Sequence, residues 1–193
     1  MRKSSRNWIR SLLRRWPTLG AVAFLSALLL ALPATAAHAQ SAKDRELLLK
    51  AAFIYNFAKF VEWSPAAFAT ADAPLTICVQ GGEQFAAISR AMSGKTVGNR
   101  PVSVVNRPRS PTPAACHIAF IGPDEDESSY VALLKAPHTL TVGDRNRFAR
   151  TGGMVGLVIV DNKIRFEVNL RMARAAGLHI QAALLRLATE VIE

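Results

Sequence analysis

The sequence is short of the patterns from which catalytic and cofactor sites are built. Beyond the first 39 residues its histidines are His117, His138 and His179, none in an H-E-x-x-H pattern or one helical turn from a second ligand type. That spacing argues against a helix-borne zinc site. No G-x-S-x-G elbow occurs, and Ser93-Gly94-Lys95-Thr96 is not a phosphate loop, because the place of its first glycine is taken by Ser89. The acids Glu62, Asp144 and Glu167 have no sequence neighbour that would raise a carboxyl pKa for proton transfer. Asp124 to Glu127 lack the alternating spacing of a calcium loop and read as the acidic start of a helix ahead of Tyr130, Val131, Leu133 and Leu134. Neither an enzyme nor a metal or cofactor protein is expected.

Long apolar runs are missing too. Leu19 to Leu32 is apolar but too short to span a bilayer comfortably. It follows Arg2, Lys3, Arg6, Arg10, Arg14 and Arg15 and precedes Ala37-His38-Ala39, the order of a secretory signal peptide cleaved after Ala39. Residues 1–39 are therefore expected to be removed, leaving 40–193 as one exported domain with no direct insertion into the membrane. The leader takes six of the 24 basic residues and none of the 14 acidic ones, so the net charge falls from +10 to +4. With no clustered basic face left, nucleic acid is not an expected partner.

Only two cysteines are present, Cys78 and Cys116, each in a strand-like run. In an oxidising compartment this favours a structural disulfide, with a redox-sensing pair as the alternative. In the chain-entropy account, closing a loop of about 39 residues stabilises the fold by about 4 kcal/mol.

What is abundant is patterned hydrophobicity. At about 100° per residue, Leu47, Ala51, Phe53, Ile54, Phe57, Ala58, Phe60 and Val61 share one wide arc of a helix, while Arg45, Asn56 and Lys59 lie outside it. An arc this wide suits a helix laid on a sheet. Pro65 is expected to end the helix just after Trp63, leaving the indole N–H at the exit, free for the core or for a partner. Strands are expected at 75–80, 100–106, 115–122 and 139–142, with a helix at 83–92 after Gly81-Gly82. Arg107 to Pro113 holds three prolines and reads as a loop, and Gly143 to Arg150 as a loop with one helical turn bearing Phe148. Residues 154–160 and 163–170 flank Asp161-Asn162 as a hairpin, with Ile164, Phe166, Val168 and Leu170 facing one way and Lys163, Arg165, Glu167 and Asn169 the other. Asn169 can cap a helix ended by Gly177, and a final helix would present Leu184, Leu187, Ala188 and Val191. These elements predict an α/β three-layer sandwich: a mixed, mostly parallel sheet of about five to six strands, helices on both faces, and a C-terminal antiparallel hairpin.

Three stretches together resemble the YfiR family: KAAFIYNFAKFVEW, the segment FARTGGMVGLVIVDNKIRFEVNLRMARAAGLHIQAALLRLA, and Cys116 heading a strand that ends in Phe-Ile-Gly. The resemblance spans essentially all of 40–193. It implies a periplasmic repressor, without catalysis, that binds the periplasmic sensory domain of an inner-membrane diguanylate cyclase of the YfiN type and so limits cyclic di-GMP and biofilm formation. It also implies the Cys78–Cys116 disulfide, whereas a second cysteine pair found in some members has no counterpart between Thr141 and Gly152. Gly152, Gly153, Met154 and Gly177 match structural positions of the family motifs. Trp63, Phe148, Phe166, Glu167, Asn169 and Leu178 become the partner-contact candidates, although Phe166 and the glycines also fit plain core and backbone roles. A homodimer is expected. The rival reading is a small-molecule receptor with an anionic ligand at Gly81-Gly82 or a pocket by Trp63, reporting to a sensor kinase or transporter.

Overall fold

A row of apolar residues at helical spacing sets the first long element. The computed structural model describes residues 33–107 and 116–193, and the chain divides into two units, Met1–Arg45 and Glu46–Glu193. The expected basic n-region, the apolar run after it and most of the proline-rich loop at 107–113 lie outside the described residues. The first helix, α1 (Pro33–Phe60), buries Leu47, Ala51, Ile54, Phe57 and Ala58, all in the expected arc. It stops earlier than Pro65 requires, because Val61–Glu62 (β1) leaves the helix to pair antiparallel with His179–Ile180. Trp63 therefore follows a strand and not, as expected, a helix end.

The chain then runs β2 (Leu75–Val79), α2 (Gly82–Met92), β3 (Thr96–Val97), β4 (Arg100–Asn106), β5 (Ile118–Ile121), α3 (Glu127–Tyr130), β6 (Leu140–Gly143), β7 (Val155–Val160), β8 (Lys163–Asn169), α4 (Leu170–Ala175), β9 (His179–Ile180), α5 (Ala182–Leu185) and β10 (Glu190–Ile192). Among the described residues these strands form one eight-stranded sheet in the order β10-β8-β7-β6-β5-β2-β4-β3, and a two-stranded ribbon of β1 and β9. Neighbours from β4 to β7 run parallel, as helical and loop crossovers demand, while β7–β8 and β3–β4 are antiparallel.

Alternation along β5 shows why the sheet is covered twice. Ile118 and Phe120 face the core that α1 and α2 close with Ile54, Phe57, Ile88 and Met92. Ala119 and Ile121 face a smaller cluster with Tyr130, Leu133 and Phe148. The result is the expected three-layer α/β sandwich with a mostly parallel sheet and a C-terminal hairpin.

The strand count exceeds the expected five to six, mainly at the C-terminus. The final helix is a single turn, α5, and Val191 lies in β10, which pairs parallel with β8 through Val191↔Val168. Leu187, expected on a buried helix face, is 65 % exposed. The open edge of β8 offers a full row of backbone partners, and the β-branched pair Val191-Ile192 suits a strand better than another helical turn.

Cys78 in β2 and Cys116 just ahead of β5 form the disulfide between neighbouring strands, with Cα atoms 5.7 Å apart and no free cysteine among the described residues. Replacing both by serine should lower unfolding stability by about 3–4 kcal/mol, read as a lower denaturation midpoint that matches the reduced wild type.

Candidate interaction site

The β7–β8 hairpin carries most of the residues singled out by sequence. Asp161 and Asn162 both adopt positive φ, 49° and 56°, the twist that a two-residue connection between antiparallel strands prefers. Only Val155 and Gly156 of β7 pair with β6, so the rest of the hairpin overshoots the parallel strands. Residues opposite each other share a face, which gives the overshoot two distinct sides.

One side, with Leu157, Ile159, Ile164 and Phe166, faces α1. Phe166 is 5 % exposed, its ring 5.1 Å from that of Phe57 and 6.1 Å from that of Phe53, both edge-on. The other side bears Val158, Val160, Lys163, Arg165 and Glu167. At its root lies a 3-10 turn, Phe148–Thr151, onto which Asn169 Nδ2 donates to the Ala149 carbonyl at 2.8 Å, while its Oδ1 accepts the Met172 N–H at 3.0 Å and caps α4. Phe148 lies so close to Gly153 that a Cβ there would stand 2.2 Å from its ring; at Gly143 the distance is 2.8 Å. Those glycines exist because the ring needs their space. Met154 N–H donates to Thr141 Oγ1 at 3.1 Å, tying the Gly152-Gly153-Met154 motif to β6. Gly177, at φ 73°, turns the chain from α4 into β9.

Four of the six partner-contact candidates are thus inside: Phe148, Phe166, Asn169 and Leu178. In this conformation they shape the hairpin and its support from within. Sequence alternation put Asn169 on the polar side correctly, but the 3-10 turn covers that position. Glu167, half-buried, and Trp63, half-buried, remain at the surface.

Trp63 lies at the amino end of the parallel strands. Its indole N–H donates to the His138 carbonyl at 2.9 Å, and its ring stands edge-on to His117, which stacks on Phe68 at 4.3 Å. The Arg100 guanidinium covers the Phe68 ring at 3.6 Å. Thr76 N–H donates to His117 Nδ1 at 3.0 Å and Nε2 lies 3.1 Å from the Ala67 carbonyl, so the imidazole is neutral with its proton on Nε2. Burial lowers the His117 pKa, the Ala67 carbonyl opposes this, and Arg100 adds to the lowering.

The carboxyl end of the strands is charged instead. Arg107 Nη2 pairs with Glu125 Oε2 at 2.6 Å, and Gly122 N–H donates to Oε1 at 2.8 Å. Burial pushes the Glu125 carboxyl up against the pull of the Gly122 N–H and Arg107. The acidic run supplies a buried ion pair through Glu125, while Asp126 at the N-cap and Glu127 in the first turn give α3, a single turn, the expected acidic start. Lys50, buried on α1, donates to Asp144 Oδ2 at 2.6 Å and to Glu46 Oε1 at 2.5 Å. Burial pulls the ammonium down, but Asp144 and Glu46 outweigh it and hold Lys50 above its ordinary value. Lys50 was missed by sequence, yet it stands in the same helical row as Leu47, Ile54 and Phe57, where a lone cation requires an acid opposite.

Among the described residues, two cavities border α1. One, of about 150 Å³, lies between α1 and the hairpin; the other, of about 210 Å³, lies between α1 and α2 near Tyr55 and Met92. Neither is lined by Trp63, Gly81 or Gly82, the places expected for a ligand. Among the described residues no group of three or more His, Cys, Asp or Glu side chains could hold a metal, and no helix is long and apolar enough to cross a membrane.

These features define a disulfide-linked α/β sandwich whose distinctive surface is an overshooting hairpin. The chain belongs to the YfiR/HmsC-like family, whose profile matches residues 48–189. That is a family of periplasmic regulators of diguanylate cyclases. No curated protein matches the chain. Among solved structures, the ABC domain in complex with L-Trp from Streptococcus pneumonia shares 12 % identity, with 61 % of this chain and 55 % of that one covered, at a TM-score of 0.40. The chain thus spans about half the length of that structure, and a likeness this weak carries no argument.

Truncating Phe166 to Ala should cost about 3–5 kcal/mol of stability in the purified protein, with no partner present, as a core ring would. For pH, the sign follows from His117. Its folded pKa lies below the free value of 6.5, so its contribution is present above that pH and is lost as pH falls through the folded value. Denaturation midpoints should fall from about pH 7 to about pH 5, and His117→Gln should flatten that fall.

Proposed function

We propose that this protein represses an inner-membrane diguanylate cyclase of the YfiN type by binding its periplasmic sensory domain, lowering cyclic di-GMP and biofilm formation, and that it acts as a homodimer without catalysis. The observation that carries this reading is the family match over 48–189. The structure supports it with a surface of the right kind. The outer side of the hairpin presents Val158, Val160, Lys163, Arg165 and Glu167, a mixed apolar and charged strip on a rigid support. Val160 is 41 % exposed although large and apolar. Such a strip offers apolar area for affinity and charges for register. Trp63, at the other end of the sheet, is the second contact candidate. Repression needs only that the protein bind the inactive form of the cyclase domain more tightly than the active one.

Deleting the gene should raise cellular cyclic di-GMP, and supplying the wild type should restore it. Val160→Asp and Glu167→Lys, which alter exposed or half-exposed side chains, should fold normally yet fail to restore repression. An unchanged cyclic di-GMP level on deletion, in cells that make the protein, overturns the reading.

A further inference from the structure

The cavity between α1 and α2 has a cause in side-chain size. Its lining includes Ala51 and Ala52 from α1 and Ala91 from α2, side chains too short to close the gap, and about 210 Å³ stays open. The floor belongs to the core, since Ala51 is fully buried and Met92 is 1 % exposed. Leu48 and Tyr55 form walls, while Ala52, Asn56 and Lys95 are exposed and mark the mouth. An occupant can therefore enter from solvent and reach the polar groups at the rim.

That rim carries charge of one sign. The Tyr55 hydroxyl donates to the Thr96 carbonyl at 2.9 Å, which holds the ring beside two ammonium groups: Lys95 Nζ lies 4.9 Å from its centroid and Lys59 Nζ 5.4 Å. Two like charges on one ring repel, and neither has a carboxylate partner among the described residues. Lys59 sits in the last turn of α1 and Lys95 just past the end of α2, so the carbonyl ends of the two helices offset roughly half a unit of charge each. Roughly one positive charge is left over. Attraction to the ring uses one side of each ammonium and leaves its other N–H donors for an acceptor.

We infer that this cavity is a binding site for a small organic monoanion, a carboxylate with an apolar body of about one ring. The body lies against Leu48, Ala51 and Met92. The carboxylate sits at the mouth on the Lys95 ammonium, with the Asn56 amide as a second donor and Lys59 within electrostatic reach across the Tyr55 ring. Size and charge both select this class. An apolar cavity of roughly 150 Å³ takes one benzene ring, so about 210 Å³ leaves room for a ring and a carboxylate. A neutral ligand leaves the surplus charge as it is, and a cation adds to it. The site is separate from the hairpin, from Trp63 and from Gly81-Gly82, and it does not rest on the identity of the cyclase partner.

Phenylacetate, phenylacetamide and 2-phenylethylamine are close in shape and differ in charge, and they test this in the purified chain from residue 40 onward. Titrated at low salt while backbone amide resonances are followed, phenylacetate should give saturable shifts centred on Leu48, Ala52, Tyr55, Ala91 and Lys95. It should bind about threefold or more tightly than the amide, as suits ammonium groups that stay partly solvated, and the amine should bind most weakly. Raising the salt to about 0.5 M should shrink that preference and leave phenylacetamide nearly unchanged. Lys95→Gln, at an exposed side chain, should remove most of the preference, whereas Lys135→Gln, at an exposed lysine elsewhere, should keep it. Ala52→Leu, which adds side-chain atoms at the mouth, should weaken all three probes. Equal binding of the three probes, an undiminished preference in Lys95→Gln, or shifts spread over surface lysines without saturation overturns the inference.

Discussion

The edge-on contact of Phe166 with Phe57 and Phe53 is the constraint on which the rest depends. It joins the longest helix to the only long antiparallel hairpin among the described residues, across the inner face of the sheet. With Phe166 fixed inward, the period of two along β8 dictates that Arg165 and Glu167 face outward. The 3-10 turn then has to cover the root of that outer side, since Asn169 and Gly156 would otherwise leave backbone groups and an apolar sheet face open. Phe148 closes this second layer, and the tight glycines Gly143 and Gly153 follow from its position. One aromatic contact thus sets which hairpin side is core and which is surface.

Much of this was legible because the signals were periodic. The apolar arc of α1, the strands at 75–79 and 100–106, the Asp161-Asn162 turn and the Asn169 cap all rest on local chemistry that acts within a few residues. The failures are tertiary. Nothing local says that Val61 and Glu62 will leave the helix, since their partner is His179–Ile180, more than a hundred residues away. The β-branched Val191-Ile192 is only a weak local hint of β10, and the decisive invitation comes from the free edge of β8. Alternation also says which side a residue takes, but not what covers that side, and so Asn169 was read as surface when a turn lies over it. Lys50 is the exception that was readable: a cation in the middle of an apolar row announces a buried acid, although only the fold reveals that it is Asp144.

The two ends of the sheet are built from different physics. At the amino end the disulfide, the neutral His117 and the ring stack with Trp63, Phe68 and Arg100 hold the strands by packing and directional hydrogen bonds. At the carboxyl end the backbone emerges through buried ion pairs, Arg107–Glu125 and Lys50–Asp144. Replacing such pairs by apolar residues is often neutral for stability, whereas removing one partner is costly. Their value here lies in placement: Arg107–Glu125 fixes the loop after β5, and Lys50–Asp144 fixes the loop after β6 against α1. Both loops border the overshooting hairpin, so the charged end positions the part of the molecule that projects.

That projection has a consequence for regulation. The hairpin's outer side and the cavity beneath its inner side share one pair of strands, and Ile159 and Val160 are consecutive residues on opposite faces. A contact on either side would bear on the same two strands. Two ligands on one element are coupled whenever either changes its mean position or its freedom, and the coupling is reciprocal. The overshoot is open to such coupling, because among the described residues β7 has no strand partner beyond Gly156 other than β8.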